Sequence, residues 1–199
     1  MPVIFEKQID AAKKLAVWQI NESGPELFNA IHYKANPAFN EKRNIEQAVS
    51  KLIFNHMMGY TAHPSLEKDH FGKPYMKDSG IALSFSHSQN MVACIVDTEG
   101  NPVGIDIENI RERIQLISHK FCTEDDFSPF EGIIHQHLIW GGKEVLYKIY
   151  AKKNLDFKTD MRVQFSDTKG LGVILKDPHH SQHQLYHDTI DNFMLVWGY

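Results

Sequence analysis

Residues 103–108 read Val-Gly-Ile-Asp-Ile-Glu, an alternation that only an extended strand can use. Successive side chains of a strand point to opposite faces. Val103, Ile105 and Ile107 therefore share a face suited to a core. Asp106 and Glu108 share the other face, with Gly104 leaving room beside them. Two carboxylates so close repel unless one is protonated or a cation lies between them. Hard oxygen donors with no Cys or His nearby suit Mg²⁺, which keeps several waters and often binds substrate phosphates. An Asp-x-Glu also occurs on solvated edge strands, so the segment sets a metal-assisted reaction on a phosphorylated substrate against a plain polar face.

The chain has 199 residues, room for one large domain or two small ones. With 42% hydrophobic and 23% charged residues it has the composition of a soluble globular protein. A formal net charge of −4 supplies no general field for nucleic acid, and none is expected as a partner. The apolar runs are shorter than a membrane span. The opening Pro2-Val3-Ile4-Phe5-Glu6-Lys7 lacks the basic and long apolar parts of a signal peptide. Cys94 and Cys122 are too few for a disulfide framework. Cys94, within the apolar run Met91–Val96, reads as a buried thiol. These features lead us to expect a cytoplasmic protein away from membranes.

The pattern along the chain predicts an α+β fold. A strand is expected near Val3–Phe5, with helical segments over Ile9–Ile20 and Pro25–Lys34. Ile45, Val49, Leu52, Ile53 and Met57 fall on one helical face, and that helix ends near Gly59. Residues 60–80, with several Pro and Gly, read as loop. Ile81–Phe85 and Met91–Val96 read as strands joined by Ser86-His-Ser-Gln-Asn90. The turn Thr98-Glu-Gly-Asn-Pro102 predicts that 91–108 forms a hairpin. Phe121–Phe130 is a short acidic segment, and Gly132–Tyr150 reads as a second long helix. Further strands are expected at Met161–Phe165, Gly172–Leu175 and Asn192–Gly198. This order places residues 1–100 in one half and 101–199 in another, within one compact unit whose site lies between them.

Three more constellations carry chemistry. Glu144 and Lys148, at i and i+4, share a helix face with Trp140 one turn earlier. They are either a surface ion pair or a third carboxylate beside a phosphate-binding lysine. Gly141-Gly142 in that helix costs stability, which points to something approaching its backbone closely or to a helix start there. Ser84-Phe-Ser-His-Ser88 places His87 among hydroxyls, where an imidazole can bind phosphate or serve only a structural role. Ser86 lacks the elbow of a serine hydrolase, and adjacent Ser and His side chains on a strand point apart. Phe71-Gly-Lys-Pro-Tyr75 is a turn that projects Lys73. Lys42, Arg43 and Lys51 on the first long helix are surface charges or a phosphate-binding edge. His135 and His137 read as polar helix surface. His179, His180, His183 and His187 read as a solvated loop, with His183 and His187 able to bind Zn²⁺ only if helical.

Taken together, Phe71-Gly-Lys-Pro74, Ser84-Phe-Ser-His-Ser88, Val103-Gly-Ile-Asp-Ile-Glu108 and Trp140-x-x-Lys-Glu144-x-x-x-Lys148 resemble the 4′-phosphopantetheinyl transferases of the Sfp type. Order and spacing agree from about residue 40 to residue 150, and Phe121-Cys-Thr-Glu-Asp-Asp-Phe127 is similar to the family's Phe-Ser-x-x-Glu segment. The resemblance implies two similar α/β halves related by a pseudo-two-fold axis, with coenzyme A between them. It implies Mg²⁺-dependent transfer of phosphopantetheine to a serine of an apo acyl or peptidyl carrier protein. Asp106, Glu108 and Glu144 match the metal positions. His87, with Ser86 beside it, and Lys148 match coenzyme A phosphate contacts, and Lys73 matches the nucleotide-side lysine. Lys51 stands where relatives usually carry Arg, and Arg43 matches loosely. Glu144 is the expected base and Lys148 a second cation, with Lys143 a candidate for the pyrophosphate. A chain with both halves is expected to act as a monomer. A Mg²⁺-dependent nucleotide phosphohydrolase and a non-catalytic coenzyme A or carrier-protein binding module are the alternatives.

Overall fold

The computed structural model describes residues 2–60 and 65–199. Its elements run β1 (Val3–Gln8), β2 (Lys13–Gln19), α1 (Gly24–Ala30), α2 (Glu41–Met58), β3 (Leu66–Lys68), β4 (Pro74–Met76), β5 (Ala82–Ser88), β6 (Met91–Asp97), β7 (Gly104–Asn109), α3 (Ile114–Ile117), α4 (Gly132–Tyr150), β8 (Met161–Phe165), β9 (Lys169–Lys176), β10 (His179–Ile190) and β11 (Phe193–Gly198). This is a mixed α/β architecture, compatible with the α+β class. One antiparallel sheet has the order β1-β2-β6-β5, and a second has β7-β11-β10-β9-β8. A small β3-β4 hairpin stands apart.

Three clusters of buried side chains explain the layering. Ala48, Val49, Ile53 and Phe54 of α2 pack on Ala16, Trp18, Val92 and Cys94 of the first sheet. Leu138, Val145, Leu146 and Ile149 of α4 pack on Val163, Ile174, Leu185 and Val196 of the second. Between the sheets lie Leu15, Val17, Ala93 and Ile95 from one side and Ile105, Ile107, Leu195 and Trp197 from the other. The caps of α2 are those its sequence offers. Asn40 Oδ1 accepts from Arg43 N at 2.8 Å, and Gly59 closes the helix at φ 67°.

Several sequence expectations change. Ile9–Ile20 is no helix: β2 occupies Lys13–Gln19. Leu15 to Trp18 are all buried because α2 covers one face of the strand and the second sheet covers the other. A strand covered on both sides loses its alternation. The helix expected over Pro25–Lys34 is shorter, Gly24–Ala30. Residues 91–108 form no hairpin, since β6 and β7 belong to different sheets and β7 pairs with β11. β5 continues through Ser88, leaving a turn at Gln89-Asn90. The stretch read as loop over 60–80 contains β3 and β4, while residues 61–64 of it lie outside the described residues. The His179–His187 segment is β10, so His183 and His187 do not form a helical pair. Cys94 is fully buried, and burial pushes its thiol pKa well up.

No helix among the described residues is long and apolar enough to cross a membrane.

Candidate active site

The floor of a cleft forms where β7, β5 and α4 meet. A Cβ at Gly104 would stand 2.5 Å from the Val145 carbonyl oxygen, and one at Gly141 would stand 2.7 Å from Val196 Cγ2. These two glycines let α4 lie directly on β7 and β11. The close approach suggested by Gly141 is therefore real, and the helix begins well before it. Glu144 and Lys148 then project from α4 over the polar face of β7. A cavity of about 340 Å³ is lined by Ser86, His87, Asp106, Glu108, Trp140, Glu144 and Lys148 together with Phe85. Trp140 is held as a wall by Phe121 and Phe157, with ring centroids at 5.1 and 5.3 Å.

β5 and β7 meet through serine hydroxyls. Ile105 N donates to Ser84 Oγ at 3.4 Å, Ser86 Oγ donates to Asp106 Oδ1 at 2.9 Å, and Asn109 N donates to Ser88 Oγ at 3.2 Å. Alternate serines of β5 thus face β7, which sends His87 to the other side. Lys148 Nζ donates to Asp106 Oδ1 at 2.8 Å and to the Ile105 carbonyl at 2.7 Å.

The acids are crowded. Burial pushes Glu144 up to about 7, with the Asp106 charge next, Lys148 opposing and Glu108 adding. Burial also raises Glu108, against a hydrogen bond from Ser88 and with the Asp106 charge adding. Among the described residues, no three His, Cys, Asp or Glu side chains stand in a ready-made ligand cluster. The donor chemistry nevertheless fits a hard cation: three carboxylates line one cavity, and the pKa values of Glu108 and Glu144 are raised by burial and by their acidic neighbours.

The other wall of the cleft is cationic. A hollow of about 180 Å³ is lined by Arg43, Ser50, Lys51, Lys68 and His87, among others. Another of about 210 Å³ lies between Lys73, Phe85, Tyr147 and Lys148. Phe85 and His87 link the first hollow to the acidic floor. Arg43 Nη1 donates to His87 Nε2 at 2.5 Å and to Glu46 Oε2 at 3.1 Å. Burial chiefly lowers the His87 pKa; Glu46 opposes that and Arg43 adds to it. Burial lowers Lys73, and burial plus the Arg43 charge lowers Lys68. Lys51 Nζ sits 5.3 Å over the Tyr33 ring. The turn that presents Lys73 is held by Asp69 Oδ1, which accepts from Phe71 N at 2.9 Å and Lys73 N at 2.8 Å.

Lys143 is not in the cleft. It is fully buried on another face of α4, and its Nζ donates to Asp126 Oδ2 and to the Phe121 carbonyl, each at 2.6 Å. One residue from Glu144 is about 100° around a helix, so the neighbour of a cleft residue points elsewhere. Its partner is the acidic Phe121–Phe130 segment, where Asp126 also accepts from Thr123 N and Val163 N at 2.9 Å each. His137 likewise is not helix surface: it is 3% exposed and its Nε2 accepts from Arg111 N at 3.0 Å. The sequence reading did not include Glu46, which meets Arg43 and His87, or Glu67 and Lys68, which line the cationic hollow. Glu46 stands one helical turn from Arg43, a visible signal. Lys68 reaches the cleft only through the β3-β4 hairpin.

An acidic floor beside a cationic wall is the chemistry of a site for a phosphate-bearing ligand with a divalent cation. No family model matches the chain. It is similar to a 4′-phosphopantetheinyl transferase of Bacillus subtilis, 28% identical over 117 residues, covering 55% of this chain and 51% of the relative. It is also similar to the 4′-phosphopantetheinyl transferase gsp of Aneurinibacillus migulanus, 38% identical over 60 residues, covering 30% of this chain and 24% of the relative. The matched region thus spans about half of the first relative and about a quarter of the second. The resemblance carried by the motifs is therefore also an alignable similarity to the 4′-phosphopantetheinyl transferase superfamily.

Proposed function

We propose that this chain transfers the 4′-phosphopantetheine arm of coenzyme A to a serine hydroxyl of an apo acyl or peptidyl carrier protein, with Mg²⁺. The observation that carries the reading is the single cleft in which Ser86, His87, Asp106, Glu108, Glu144 and Lys148 meet, in a chain whose relatives bear that name. Residues 1–100 and 101–199 are read as two halves related by a pseudo-two-fold axis, each a long helix on an antiparallel sheet. Both walls of the cleft come from one chain, which suits a monomer working in the cytoplasm.

In this reading Asp106, Glu108 and Glu144 hold Mg²⁺, which when bound neutralises charge developing on the pyrophosphate oxygens. Lys148, anchored on Asp106, adds a fixed positive charge at the same oxygens. Arg43, His87, Lys51 and Lys73 receive the 3′-phosphate and the nucleotide end of coenzyme A along the cationic wall. The serine oxygen forms a bond to the β-phosphorus, and the bond to the oxygen of adenosine 3′,5′-bisphosphate breaks. Glu144 takes the serine proton.

The test is the mass of an apo acyl carrier protein incubated with the chain, coenzyme A and Mg²⁺. Gain of one phosphopantetheine, abolished by EDTA and by Glu108→Ala, is the expected result. No gain across several carrier proteins, from a chain that binds coenzyme A, would leave a binding module in its place.

A further inference from the structure

The cationic wall contains an acid that phosphate binding does not require. Glu46, one turn along α2 from Arg43, is 7% exposed. Its Oε2 accepts from Arg43 Nη1 at 3.1 Å and stands 3.6 Å from His87 Nε2, while Oε1 is 3.9 Å from the exposed Lys42 Nζ. Arg43 and His87 are also bound to each other and line the same hollow as Lys51 and Lys68. By charge alone a carboxylate here opposes an arriving anion. Its effect on geometry runs the other way. A guanidinium tied through one N–H to a buried carboxylate has fewer orientations, and its other N–H groups form a fixed fork. Ordering done in the free protein is not charged again when a ligand binds.

We infer that Glu46 is a positioning residue, which fixes Arg43 and His87 as a preorganised pair for an anionic group of coenzyme A. The inference rests on the coenzyme A reading of the cleft. The charge effect and the positioning effect have opposite signs, so they are separable. Removing a negative charge from a cationic pocket tightens an anion if only charge matters, and weakens it if Glu46 acts by orienting its partners.

Coenzyme A binding measured by calorimetry on the full chain, beside thermal melts, decides between them. Glu46→Ala is expected to weaken binding about tenfold, and Glu46→Gln, which keeps an acceptor for Arg43, by less. In transfer assays the KM for coenzyme A should rise while kcat at saturation stays unchanged. Arg43→Lys should also weaken binding, and adding Glu46→Ala to it should cost less than Glu46→Ala costs alone, because part of the effect of Glu46 passes through the guanidinium. Unchanged or tighter binding by both Glu46 variants would overturn the inference alone. So would full additivity with Arg43→Lys. Failure of the unaltered chain to bind coenzyme A would overturn the coenzyme A reading as well.

Discussion

Ser86 Oγ donates a hydrogen bond of 2.9 Å to Asp106 Oδ1 across the line where β5 faces β7, and Lys148 Nζ donates to the same oxygen at 2.8 Å. One carboxylate oxygen thus receives a hydroxyl from the first sheet and an ammonium from α4. Under the proposed function, its other oxygen would serve Mg²⁺. Ser86→Ala should leave Lys148 in place but release one restraint on Asp106. Phosphopantetheine transfer is expected to fall about tenfold, the effect of losing a hydrogen bond to a charged group, with the melting transition nearly unchanged. Mass spectrometry of the carrier protein under initial-rate conditions checks this.

Glu144 gives a pH signature. Its pKa in the fold, about 7, exceeds the ordinary carboxylate value because burial and neighbouring acids disfavour its charge. Mg²⁺ held by Glu144 would have to displace this proton, so metal binding by the chain, read by calorimetry, should strengthen as pH rises through about 7. Stability behaves oppositely. Between the ordinary carboxylate pKa and about 7 the folded chain binds more protons than the unfolded one, so this group's contribution falls as pH rises. Glu144→Gln should abolish transfer yet raise the melting temperature at pH 8 in EDTA relative to the unaltered chain. Paired melts at pH 5 and pH 8 test the sign, since the gain should shrink at pH 5.

The Lys143–Asp126 pair is a prediction about stability. Both side chains are fully buried and joined at 2.6 Å. Lys143→Met strands the Asp126 charge and removes the tie to the Phe121 carbonyl, at a cost of about 3–5 kcal/mol. Denaturant unfolding measures it. The double variant Lys143→Met, Asp126→Asn should recover part of the loss, because no unpaired charge then stays buried.

Gly141 tests how α4 is seated. A Cβ there meets Val196 Cγ2 at 2.7 Å, so Gly141→Val should lift the helix from β11 at a cost of about 1–3 kcal/mol. Since Glu144 lies one turn further on, transfer should fall more than stability alone explains. Gly141→Val combined with Val196→Ala should restore both.

Much of the acidic floor was visible in the sequence because its parts are local. Alternation over 103–108 orients Asp106 and Glu108, and the i, i+4 relation orients Glu144 and Lys148. The bounds of α4 were readable from Gly132 to Tyr150. Features set by distant partners were not. β2 has no alternation because the strand is covered twice. The polar β10 is held by ladders to β9 and β11 rather than by an apolar stripe. The turn after β6 is a real turn, yet it leads to another sheet because β11 captures β7. Lys143 differs from Glu144 by one position and by nearly a third of a helical turn. Asp126 and the Phe121 carbonyl, both from the acidic segment, determine what it meets.

The register Val196↔Asp106 and Met194↔Glu108 has a consequence for how the chain assembles. β11 follows β8, β9 and β10 in sequence, yet it lies between β7 and β10. On a ribosome, β7 emerges early and waits without a ladder partner while α4 and three further strands are made. Until Phe193–Gly198 is added beside it, the strand that carries the two acids lacks its ladder. The ladder beside the acidic floor is therefore completed only after β8, β9 and β10 have been made. A chain interrupted between α4 and β11 has both long helices and every proposed site residue, but lacks the ladder that sets the register of the acids on β7.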